Sequence, residues 1–219
     1  MKLTLIYFVT FFTLTFASSV STIKSTSIVD SISQLLYIYL NPIFQDTLKQ
    51  LTQLVFEFGD KLSQNIPYEL TRANGPTPAP WVSQLFGEVN SISTQWNNQV
   101  SQFFATIPTI FETNSRSSLN MPTIRETLYN AVEHLLGELK KLFIDNIKQT
   151  IISIFNRFDL MEFIGRKRAL SNIEDSLNVF EQQVSNIFDK TKEKLNRTID
   201  DAINFIITFW DDVKYRFLG

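Results

Sequence analysis

The chain has 219 residues, 44% hydrophobic and 19% charged, with 6 Gly and 7 Pro, a composition inside the globular range that excludes disorder throughout. Its formal net charge is −2, and −3 once Lys2 is lost with the leader described next, which argues against a nucleic-acid binder, since such affinity needs clustered Lys and Arg. With no Cys there are no disulfides, thiolate nucleophiles or thiolate metal sites, so stability must come from packing, for which 20 Phe and 3 Trp offer large apolar areas.

Lys2 precedes an apolar run from Leu3 to Phe16 that ends in the small residues Ala17, Ser18 and Ser19. A positive start, a run shorter than the roughly 20 residues of a bilayer span and a small-residue exit predict a cleaved secretory signal peptide over residues 1–19, hence a secreted, extracellular protein. Cleavage after Ala17 and after Ser19 are both chemically acceptable. Residues 20–219 then form one helical-bundle domain, with no transmembrane segment: the richest later stretch, Ala202 to Trp210, is short and broken by Asn204 and Thr208.

Apolar residues recur at alternating steps of three and four over four long segments, so the expected fold is all-α: an elongated antiparallel bundle of four long amphipathic helices, or five if Pro42 breaks the first. The first spans about Ser27–Asn65, with Ile32, Leu36, Tyr39, Ile43, Leu48, Leu51, Val55, Phe58 and Leu62 on its stripe. Pro42 kinks or breaks it, and Asn41 before it is pushed from α geometry. Four Pro and a Gly make 66–80 a loop.

The second helix, about Trp81–Thr106, carries Val82, Leu85, Val89, Ile92, Trp96, Val100, Phe103 and Ile107; from Ala73 to Phe111 its only charge is Glu88. A helix without a charged face belongs in the middle of a bundle or against a partner. Pro108 should end it, with a loop over 108–122. Thr123-Ile124-Arg125-Glu126 fits a capping box opening the third helix, whose stripe is Ile124, Leu128, Leu135, Leu139, Leu142, Ile147, Ile151, Ile154 and Phe158. After a loop near 165–170, Ser171-Asn172-Ile173-Glu174 fits a second box, opening the longest helix. Its stripe is Leu170, Ile173, Leu177, Phe180, Val184 and Ile187, then Leu195, Ile199, Ala202, Ile206, Phe209, Val213 and Phe217, and the polar Thr191–Lys194 patch between is where a bend is expected.

Enzymatic readings fail mostly by counting, with a Ser-His-Asp triad through His134 only formally possible. His134 is the only His, so neither a His-pair zinc site nor a di-iron bundle with two Glu-x-x-His motifs can form, no nucleophile elbow surrounds a Ser, and no Gly-rich phosphate loop exists. His134, beside Glu133 and one turn from Glu138, reads as a helix-surface residue. No catalytic residue, metal or cofactor is expected. Asn196-Arg197-Thr198 is an N-glycosylation sequon within the fourth helix, marking a solvent-facing side if occupied. Gly165-Arg166-Lys167-Arg168 matches the processing sites of peptide precursors, but two long helices flank it, and a C-cap Gly with cations near a helix C-terminus is the favoured reading.

In architecture, long amphipathic helices in a secreted, cysteine-free chain resemble the exchangeable apolipoproteins, whose bundles open to lay apolar faces on lipid. Two features depart from that family: the second helix lacks flanking Lys and Arg, and the Phe content is high. Apolar stripes at this spacing are core before they are anything else. The function expected is that of a secreted, non-enzymatic binding protein that accommodates an apolar small molecule or a lipid surface, with Trp96, Phe103, Phe104, Phe205, Phe209 and Trp210 as ligand-binding residues. The alternative is a protein-interaction, effector or structural protein with no small ligand, forming a homo-oligomer or docking a protein partner through the uncharged helix 81–106. A third is a precursor cut at Arg166-Lys167-Arg168.

Overall fold

The computed structural model describes residues 25–65, 80–114, 121–157 and 166–218, and all of them are helical. They form α1 (Ser25–Asn65), α2 (Pro80–Asn114), α3 (Met121–Arg157) and α4 (Arg166–Leu218). Packing closes a ring: α1 and α3 each contact α2 and α4. The expected signal peptide, residues 66–79 of the loop expected over 66–80, Phe158 and Gly165 lie outside the described residues, and Pro80 opens α2.

Pro42 and Pro108 sit inside helices, the second against expectation. α1 runs unbroken through Pro42, and α2 runs through Pro108 to Asn114. Each Pro removes one backbone N–H, leaving the carbonyls of Ile38 and Phe104 without their usual donor, a disruption of about 3 kcal/mol in a helix interior. Beyond Pro108, Phe111 is fully buried and Ile110 packs on the core. Burying Phe111 and part of Ile110 recovers roughly 2–4 kcal/mol, which carries the helix onward. The two capping boxes fall inside their helices. α3 begins at Met121 with Pro122 in its first turn, and α4 begins at Arg166, because Arg166-Lys167-Arg168-Ala169-Leu170 is a run of good helix formers.

One cluster of buried apolar side chains draws on all four helices. The expected stripes supply most of it, with three shifts by one residue. Tyr39 is 42% exposed while Leu40 is fully buried; Leu142 and Ile187 are half-buried while Phe143 and Phe188 fill the core. The spacing explains each: Leu40 lies four residues from both Leu36 and Phe44, Phe143 four from both Leu139 and Ile147, and Phe188 four beyond Val184. Among the described residues the buried polar side chains are Thr47, Thr150 and Thr191, and none carries a charge. α4 passes Thr191–Lys194 without interruption; its 53 residues exceed the 41 of α1. That surplus is about 18 Å of helix.

α2 is not in the middle of the bundle. Its amide and hydroxyl side chains, Asn90, Thr94, Asn97, Asn98 and Ser101 among them, are exposed, and its apolar stripe faces inward. Hydroxyl and amide groups solvate this face without charge.

Candidate functional site

The aromatic residues expected to bind a ligand lie in three places. Trp96 is fully buried, its ring 6.0 Å from that of Phe188 across the core. Phe103 and the half-buried Phe104 join Phe44 and Tyr37 in an edge-to-face cluster between α1 and α2, with Tyr37 4.8 Å from Phe104. Phe205 and Phe209 stack along α4 at 6.5 Å. The side chain of Trp210 lies outside the described ones.

A groove of about 230 Å³ opens elsewhere, along the seam between α1 and α4. Leu54, Phe58, Val179 and Phe180 form its apolar wall, while Glu57, Lys61, Asp175 and Gln183 supply polar groups. Phe58 and Phe180 meet at 5.1 Å across it, and Gln53 donates to Glu57 at 3.0 Å on its α1 side.

Farther along the same seam, Thr47 and Thr191 face each other with hydroxyl oxygens 2.9 Å apart. Each hydroxyl also reaches the carbonyl one turn back on its own helix, Ile43 and Ile187, at 2.8 Å. Two hydroxyl protons serve three contacts, so one Thr donates to its own helix while accepting from the other. The Lys194 ammonium adds an ion pair to Asp46 at 3.6 Å. Sequence reading passed over Thr47, although its place four residues after Ile43 on the core stripe was the available signal.

The α3–α4 seam is the charged one. Arg125 pairs with Asp200 at 3.2 Å and donates to Asn204 at 3.0 Å; Glu133 pairs with Lys192 and Lys148 with Glu181. The Tyr129 hydroxyl donates to Asp200. Burial first, then that hydrogen bond and the Asp200 charge, push the phenol up to about 12, with Arg125 acting in the opposite direction. Such a group is structural and stays protonated at physiological pH.

His134 stands on the surface, 75% exposed, with Nδ1 3.6 Å from Glu138. Among the described residues no group of three or more His, Asp or Glu is placed to hold a metal ion, and no helix is long and apolar enough to cross a membrane. Asn196 is half-buried on α4, one turn from both Lys192 and Asp200, which contact α3; a glycan there would leave from the edge of the α3–α4 seam. Arg166, Lys167 and Arg168 occupy the first turn of α4, so the three cations stand at a helix N-terminus, where the helix dipole disfavours them, and not at the C-terminus of α3.

These elements define a class: a four-helix protein with one apolar core, a charged seam between α3 and α4, and a partly polar, grooved seam between α1 and α4. No family model, curated protein or solved structure matches the chain.

Proposed function

We propose that the chain is a secreted, non-enzymatic binding protein whose bundle is antiparallel and opens along the α1–α4 seam to present its apolar stripes to a lipid surface or a large apolar ligand. The paired contacts support opposed directions: 37 meets 104, 45 meets 97 and 56 meets 86 between α1 and α2, while 47 meets 191 and 58 meets 180 between α1 and α4.

The observation that carries the reading is the character of that seam. In a ring of four consecutive helices, three neighbouring pairs are joined by a connecting segment, and only α1–α4 is not. Breaking this one seam is enough to unroll the ring. This seam also carries a groove and a buried hydroxyl pair among its apolar contacts. A groove of about 230 Å³ is small beside the roughly 300–1,000 Å³ of pockets that enclose drug-sized ligands, which favours a surface over an enclosed molecule.

The test uses the cysteine-free background. Thr47→Cys with Thr191→Cys replaces the 2.9 Å oxygen pair by two sulfurs in position for a bond of about 2.05 Å. The wild-type chain is expected to bind and fragment phosphatidylcholine vesicles, the oxidised double variant to lose that activity, and dithiothreitol to restore it. A wild-type chain that leaves vesicles intact and unbound would overturn the reading, and equal activity with the bridge closed would overturn the opening.

A further inference from the structure

The solvent face shared by α1 and α2 has the same order from either end. At one end Tyr37 and Phe104 meet edge to face at 4.8 Å, and at the other Phe56 and Phe86 meet at 4.8 Å. Between them the Gln45 amide donates to Asn97 at 3.1 Å. Tyr37, Phe56 and Phe86 keep 50%, 36% and 44% of their surface exposed although each is paired with another ring. From Val89 to Phe111, α2 contributes no charge. On α1, Asp46 is turned away toward Lys194 of α4, and Lys49, one turn from Gln45, carries the remaining charge near the centre.

We infer that this face is the interface between two copies of the chain, related by a two-fold axis at the level of Gln45 and Asn97. A two-fold interface of this kind sets one end of the patch on the other, so the two ends must complement each other, as two aromatic pairs do. Turned end for end, the Tyr37–Phe104 pair of one copy covers the Phe56–Phe86 pair of the other, and the central amides meet amides. Amides both donate and accept, so they are self-complementary, unlike a patch of one charge. The Lys49 stem is long enough to carry its ammonium to the rim.

The size agrees with a dimer rather than a permanent assembly. Ring pairs 19 residues apart on α1 span about 28 Å, and two adjacent helices about 20 Å, so two copies together cover roughly 1,100 Å². That clears the threshold of about 1,000 Å² for a specific interface and sits below the larger, obligate ones. The inference is independent of lipid binding and is tested without lipid.

Light scattering on the lipid-free mature chain should show the mass passing from one copy to two between about 1 and 100 μM, the range of a small interface. Thr94→Glu with Ser101→Glu places four carboxylates in the dimer and should raise the dissociation constant at least about tenfold, with unchanged circular dichroism. Asn98→Cys, exposed beside the axis, should form a disulfide-linked dimer on mild oxidation, and Glu138→Cys, on α3, should not. A one-copy mass over the whole range, or cross-linking as fast at 138 as at 98, would overturn the interface. So would a dimer indifferent to the two glutamates, or the chain emerging bound through this face to a different polypeptide.

Discussion

Among the described residues, Trp96 is the largest fully buried side chain, and its indole N–H finds no hydrogen-bond partner there. An unpaired buried donor costs about 1–3 kcal/mol, so Trp96→Phe removes a penalty along with some volume. Its expected cost is about 1 kcal/mol in urea unfolding, against about 3–5 kcal/mol for Trp96→Ala, which empties the site. Similar losses for both would show that the N–H is satisfied. Tyr129 provides the pH probe. Its pKa lies above the ordinary 10.0, so the folded state favours the protonated phenol. The stability it contributes is complete below about pH 10 and is lost as pH rises toward about 12. Replacing it with Phe should flatten the stability profile in that window; an unchanged slope would assign the loss to other groups.

At the scale of the helix, Gly59 and Gly137 separate backbone cost from packing. Both lie in helix interiors, where Gly is about 0.5–1 kcal/mol less favourable than Ala. A methyl added at Gly137 meets nothing within 4 Å, so Gly137→Ala should raise the urea midpoint by the full propensity gain. At Gly59 the methyl would come 3.3 Å from Leu85 of α2, so the same change should gain less or lose stability. Equal gains at both would mean that α1 and α2 are not held at this spacing. Pro42 and Pro108 make the complementary point, since tertiary burial kept both helices continuous where the local cost would have ended them.

Across the whole molecule, the seams differ in what holds them. Ion pairs and a tyrosine hydrogen bond tie α4 to α3, while α2, uncharged from Val89 to Phe111, has no ion pair to offer either neighbour there. Raising the salt concentration should therefore loosen the α3–α4 seam before those of α2, though exposed pairs of this kind are worth only about 0–1 kcal/mol each. The proposed opening falls on the one seam without a connecting segment, and the proposed dimer on the face to which α2 brings no charge between Val89 and Phe111. A bridge between positions 47 and 191 closes the first and leaves the second untouched, so the two proposals fail separately.

Helix count, type and most of the core were legible in the sequence, because a step of three or four between apolar residues is a one-dimensional record of a buried face. Ile92, Val100, Leu128 and Ile199 could be placed in the core that way. The count of Cys and His by itself rules out thiolate and His-pair sites. The helix ends at Asn114, Met121 and Arg166 were not: a capping box and a Pro state only a local preference, and at Pro108 the burial of Phe111 outweighed it. The pairing of Thr47 with Thr191, the groove between α1 and α4, and the division of the aromatic residues among three places depend on which helices become neighbours. Periodicity specifies which side of a helix turns inward, and only the tertiary structure decides what that side meets.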